Sequence, residues 1–238
     1  YLDVTKSQMF FSKGIIFVEG ISEAILLPEI AKMLDRPLEK YAVELVNVDS
    51  VAFEPFVKLF SSQSVQTCFS KIAIVTDDDR CIKKSETNYI NKDLDYDDVN
   101  SDISDRLLNG TPSDRCNELE TKCSTVGINV FKATKTLEYA LCCSENNIKY
   151  LVEAIKSEYS EIGPQLEKKV NGLRNMNEKA ACVWLFIRAR DKCKGAIAQY
   201  ISQIIKKQCE MRKKGENIEK EFVIPDYLKE AVYCVTER

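Results

Sequence analysis

The sequence predicts an α/β fold, a mainly parallel sheet of about four strands flanked by helices, with a mostly helical C-terminal extension. Three observations carry this. Up to Phe131, short apolar runs rich in β-branched residues alternate with stretches of helical spacing. Two of those runs stop abruptly at carboxylates, at the sheet edge where open α/β folds bind ligands. From Glu178 onward the spacing is helical alone.

Residues 1–13 read as a linker, with Met9-Phe10-Phe11 packing beneath the domain. Ile15 to Val18 is a buried strand that ends at Glu19-Gly20. Ser22 is placed to cap the helix that follows, whose apolar residues Ile25, Leu26, Ile30, Met33 and Leu34 recur at helical spacing until Pro37 stops it. Ala42 to Val48 is the next strand. Asp49-Ser50 forms a loop before a short helix with Phe53, Phe56, Val57 and Phe60 on its apolar face. Lys71 to Thr76 is a third strand, ending in Asp77-Asp78-Asp79-Arg80. Cys81 to Pro112 is polar, with at most a short helical piece near Ile103 to Leu108; a loop of this length in a compact domain is functional or mobile. Ser113 caps a helix to Ser124, Gly127 ends it, and Ile128 to Phe131 is the fourth strand. Helices are then expected near 147–159, 181–191 and 195–214, and from Pro225 to about Val235. The boundaries drawn are 14–142 for the α/β domain and 143–238 for the extension.

A chain of 238 residues that is 45% hydrophobic and 30% charged can bury a sizeable core. No stretch approaches the roughly 20 apolar residues of a membrane span, and no secretory signal is evident, so the expectation is a cytoplasmic protein with no membrane partner. The start at Tyr1 without Met is read as that of a fragment. Ten cysteines include no Cys-x-x-Cys, and Cys142-Cys143 are adjacent, which disfavours a zinc framework and favours reduced thiols. Histidine is absent, removing imidazole bases and Ser-His or Cys-His nucleophiles. The net charge of −3 conceals an asymmetry. Asp77 to Glu120 holds 13 acidic and 6 basic residues, Gln165 to Lys214 13 basic and 4 acidic. One part suits divalent metal, the other phosphates.

Glu19, at a strand end, is the strongest single candidate, although helix amides alone can stabilise such a carboxylate. Asp77 and Asp79 come next. Adjacent aspartates repel one another, and a hard divalent cation is the natural compensation. Asp78 is expected to point away as a spacer, since alternate residues diverge at a strand end, but the run does not settle which two coordinate. Glu23, in a first helical turn, is favourable there without any ligand.

The wording of these stretches resembles a known family. Glu-Gly closing one strand and Asp-x-Asp closing a later one look like the two signatures of the TOPRIM domain of topoisomerases, primases and several nucleases. SQMFFSKGIIFVEGISEAILLPEIAKML, TDDDR, KTLEYAL and KGAIAQ, in this order from Ser7 to Gln199, resemble the C-terminal TOPRIM half of the overcoming-lysogenization-defect (OLD) family nucleases, which include the Gabija phage-defence nuclease.

The resemblance implies a TOPRIM Rossmann-like domain that cleaves DNA with Mg²⁺ or Mn²⁺ in a two-metal site. It implies metal ligands at Glu19, Glu23, Asp77, Asp79 and Glu138, with Glu19 also essential to catalysis. It implies a transition-state lysine at Lys194, with Lys192 as the neighbouring alternative. Double-stranded DNA would be held by the basic stretch, through Lys168, Lys169, Arg188, Arg190 and Lys192. It further implies an ABC-type ATPase domain upstream, through which alone ATP would act, a homo-oligomer, and an accessory helicase-type partner.

Such a set suits phosphodiester hydrolysis, which must activate water beside a charged backbone and stabilise charge on attacking and leaving oxygens. A topoisomerase or primase TOPRIM domain is the nearest rival, but neither a domain with a covalent tyrosine nor nucleotide-binding surroundings declares itself. A phospho-acceptor receiver domain normally puts an acidic pair after its first strand, whereas Glu-Gly stands here. The non-enzymatic alternative is a degenerate TOPRIM module that only binds DNA or protein.

Overall fold

The computed structural model describes residues 8–61, 71–80 and 94–237, with the backbone alone at Asp191. Four strands, β1 (Gly14–Val18), β2 (Val43–Asn47), β3 (Lys71–Asp77) and β4 (Asn129–Ala133), form an all-parallel sheet in the order β2-β1-β3-β4. The chain leaves β1 for β2 on one side and returns to β3 on the other. The sheet therefore has its topological switch point between β1 and β3, the place where open α/β sheets form a binding crevice.

Contacts divide the chain into two compact units: residues 1–77, 114–133 and 224–238, and residues 78–113 and 134–223. The boundary drawn from sequence is 142/143. The first unit holds the sheet with α1 (Ile21–Met33), α2 (Glu54–Phe60), α4 (Asp114–Ser124) and α10 (Asp226–Thr236). Alternation splits β1 between two faces. Ile15 and Phe17 join Phe53, Phe56, Phe60, Leu119 and Cys123 in one core, with ring centroids of Phe17 and Phe56 4.9 Å apart. Met9 is buried in the same core, whereas Phe10 and Phe11 of the expected packing segment are exposed, Phe11 by 91%.

Helix α10, assigned from sequence to the extension, packs on β1, β3, β4 and α1. Its return explains Gly14: a Cβ there would lie 3.3 Å from the Val235 carbonyl oxygen, so the close approach favours glycine. Pro28 lies inside α1 without ending it.

The second unit is helical: α3 (Ser101–Asn109), α5 (Leu137–Cys142), α6 (Glu145–Glu158), α7 (Gly163–Gly172), α8 (Met176–Ala189) and α9 (Lys194–Lys214). Its centre is α8, buried continuously from Ala180 to Ile187 and packed against α3, α5, α6 and α7. The sequence reading missed α5 and α7. The expected helical piece near 103–108 is α3, whose Ile103 and Leu107 are buried, while 81–93 of the long polar stretch lie outside the described residues. No helix among the described residues is long and apolar enough to cross a membrane.

Candidate functional site

In the sheet unit, Glu19 follows the last residue of β1. Register sets Val18 opposite Val75, so Glu19 lies level with Thr76 on the neighbouring strand. Glu19 Oε2 accepts a 2.7 Å hydrogen bond from the Thr76 hydroxyl and a 3.4 Å one from the Asp77 amide. Thr76 is 1% exposed, which fixes the carboxylate from a rigid base. Arg115, in the first turn of α4, places Nη2 3.9 Å from the same oxygen and donates to the Asp77 carbonyl at 3.1 Å. Glu23, 7% exposed, turns back toward Gly20: its Oε2 lies 3.4 Å from where a Cβ on that glycine would sit. Glu19, Glu23 and Asp77 thus share the C-terminal edge of the β1–β3 pair, at the switch point.

In the helical unit, the other two members of the aspartate run part company. Asp78 is 3% exposed and spent internally. Its carboxylate accepts from Arg80 Nε at 3.0 Å, Arg80 Nη2 at 2.7 Å and the Lys135 amide at 2.8 Å. The spacer role expected of Asp78 is therefore a structural one. Asp79 sits at φ 45° and Lys135 at φ 64°, a left-handed conformation that non-glycine residues rarely adopt. Three residues beyond Lys135 comes Glu138, in the first turn of α5 and 7% exposed. Thr136 caps that helix by accepting from the Tyr139 amide at 3.3 Å, and the same hydroxyl accepts from Trp184 Nε1 at 3.1 Å. Lys194, the first residue of α9, brings its ammonium 3.7 Å from Glu138 Oε1.

The basic residues predicted to hold DNA differ in their surroundings. Lys168 on α7 and Lys192 in the turn before α9 are exposed. Lys169 donates to the Asp97 carbonyl at 3.3 Å, and Arg188 lies 5.5 Å over the Trp184 ring. Arg190 is committed inside the unit: a forked pair with Asp95 at 2.7 and 2.8 Å, its guanidinium 3.9 Å over Phe186. Burial pulls the Asp95 carboxyl upward, but the Arg190 fork and the Tyr96 amide more than offset it, and it titrates below the ordinary 3.8.

The eight described cysteines are free. Burial pushes Cys123 up to about 11 and Cys182 up to about 12, so these two thiols stay protonated at neutral pH and are poor nucleophiles. Among the described residues no three of Asp, Glu or Cys are gathered closely enough to ligate one ion. The donors on offer are nonetheless carboxylate oxygens held at defined positions, the chemistry that suits Mg²⁺ or Mn²⁺. Sequence reasoning missed Thr76, Arg115 and Arg80. Thr76 had a signal in its place beside Asp77; Arg115 had none, because its contact to Asp77 spans 38 residues.

Comparison with known proteins comes to the same place. Residues 10–79 match the family described as overcoming lysogenization defect protein-like, TOPRIM domain. The C-terminal region of the Xanthomonas campestris pv. campestris OLD protein superposes with a TM-score of 0.57 at 21% identity, covering 97% of this chain and 95% of that one. That of the Burkholderia pseudomallei OLD protein gives 0.54 at 19%, covering 94% and 97%. At these identities the likeness establishes fold. No curated protein matches the sequence.

Proposed function

We propose, for a chain whose residues 10–79 form an OLD-like TOPRIM domain and whose fold is that of an OLD C-terminal region, that it is the catalytic part of a metal-dependent DNA endonuclease. The observation that carries the reading is Glu19 beside Thr76 and Asp77 at the switch point between β1 and β3. The cation ligands in this reading are Glu19, Glu23 and Asp77 of the sheet unit and Asp79 and Glu138 of the helical unit. Bound there, Mg²⁺ or Mn²⁺ would neutralise phosphate charge and favour formation of hydroxide from water.

The chain's own residues do the rest. Thr76 and the Asp77 amide keep Glu19 oriented before any ligand arrives. Lys194 offers an ammonium to charge growing on the phosphate. Lys168 and Lys192, exposed, are suited to hold double-stranded DNA through its backbone. In the full-length protein this part would act in the cytoplasm under an ABC-type ATPase domain, as a homo-oligomer in phage defence, with a helicase-type accessory protein as partner.

The test is incubation with supercoiled plasmid under Mg²⁺, Mn²⁺, Ca²⁺ or EDTA. Nicked or linear product with Mg²⁺ or Mn²⁺, absent with EDTA, is expected. Binding without cleavage under every cation would leave the non-catalytic TOPRIM module as the better reading.

A further inference from the structure

The aspartate turn and the turn before Glu138 are tied to each other in both directions. The Lys135 amide donates to Asp78 Oδ1 at 2.8 Å, and the Asp79 amide donates to the Lys135 carbonyl at 3.2 Å. Both turns pass through a left-handed residue, a conformation that surrounding structure must hold in place. Arg80 closes the assembly. Its fork grips Asp78 at 2.7 and 3.0 Å, and its Nη1 donates to the Leu108 carbonyl at 2.7 Å, anchoring the turn to the end of α3. Lys135 Nζ reaches back to the Arg80 carbonyl at 3.4 Å, and the Ser113 amide donates to the Asp78 carbonyl at 2.9 Å. Arg80 and Asp78 are 16% and 4% exposed in their side chains, so the pair is shielded from the screening that weakens surface ion pairs.

Of the proposed cation ligands, Asp79 lies in one of the two joined turns and Glu138 in the helical turn that follows the other. We infer that Arg80 is a positioning residue: through Asp78 and the Lys135 backbone it sets the placement of Asp79 relative to Glu138, and so sets cation affinity without touching the cation. The inference rests on the proposed reading of Asp79 and Glu138 as ligands. Outer residues that orient ligands typically matter about 10- to 100-fold in metal affinity. It also gives a role to an arginine whose partner stands two residues away, inside a run of acids where repulsion alone would splay the chain.

Hydrogen exchange of the full 238-residue chain, with and without Mg²⁺, tests this without any substitution. If opening of the joined turns abolishes the cation site, Mg²⁺ must slow exchange of the Asp79 and Lys135 amides by the binding factor, about 100-fold at one hundred times Kd. The Val223 amide, bonded to Asn147 Oδ1 elsewhere in the unit, serves as the reference. Titration calorimetry with Mg²⁺ on the parent, Asp79→Ala and Arg80→Lys completes the test. Asp79→Ala should lose the site, and Arg80→Lys, which keeps the charge but not the fork, should weaken it about 10- to 100-fold. A parent that binds no Mg²⁺, or an Asp79→Ala chain that binds it like the parent, overturns the site reading and the inference together. A parent that binds and an Asp79→Ala chain that does not, with the Asp79 and Lys135 amides unmoved relative to Val223, overturns the positioning role alone. An Arg80→Lys chain that binds Mg²⁺ like the parent overturns the positioning role as well; should that chain fail to fold, the exchange measurement decides.

Discussion

The ammonium of Lys194 stands 3.7 Å from Glu138 Oε1, joining the first residue of α9 to the first turn of α5. A cation bound at Glu138 would compete for that carboxylate and would release the ammonium for the phosphate it is proposed to stabilise. Lys194→Ala is expected to cut plasmid cleavage by roughly a hundredfold or more, the scale of one lost preorganised donor. Mn²⁺ affinity by calorimetry should be unchanged or higher. Lys192→Ala should alter mainly DNA affinity; the reverse pattern would move the catalytic lysine by two positions.

A ligand that binds only the native state raises its melting temperature by mass action. Mn²⁺ is therefore expected to raise the melting temperature of the parent chain in a concentration-dependent way. Asp77→Ala combined with Asp79→Ala should abolish the shift. A double variant that still responds like the parent would remove both aspartates from the ligand set.

Thr76 offers a test of Glu19 that leaves the carboxylate in place. Thr76→Val keeps the shape of a 1% exposed side chain and deletes the hydroxyl that donates 2.7 Å to Glu19. The folded state should lose about 1.5–3 kcal/mol, the net worth of one hydrogen bond to a charged group. Cleavage should fall further than stability does, because Glu19 loses its orientation. Urea denaturation and plasmid cleavage on the same preparation separate the two, and equal activity would show that Thr76 only supports the fold.

What the sequence disclosed was local. The β1 and β3 runs, and the carboxylates closing them, could be read from β-branched residues that stop at Glu19 and Asp77. The division of labour in the aspartate run followed only in part: alternation sets Asp78 apart as a spacer, but its bond to the Lys135 amide spans 57 residues. Helix α7 was missed, although Pro164 fits a first turn; its two bounding glycines, Gly163 and Gly172, lie inside the helix. The return of α10 to the sheet depends on the Val235 carbonyl approaching Gly14, which no periodicity announces.

Arg190 separates a structural arginine from the residues proposed to hold DNA. Its fork to Asp95 and its place over Phe186 make it part of the helical unit's packing, so Arg190→Ala should lower stability more than DNA affinity. Lys168→Ala should do the opposite, weakening binding at low salt and reducing the dependence of log K on log salt by about 0.9. The pair also carries a pH signature. The folded-state value of Asp95 lies below its ordinary 3.8, so the pair's contribution is fully present above about that pH. It is lost as pH falls through the lower, folded value. The stability difference between the parent and Asp95→Asn, read from urea midpoints, should therefore be constant from pH 7 to about 5 and shrink on further acidification. A difference that persists unchanged to the lowest pH at which both chains fold would mean that shape and packing, not charge, hold Arg190 in place.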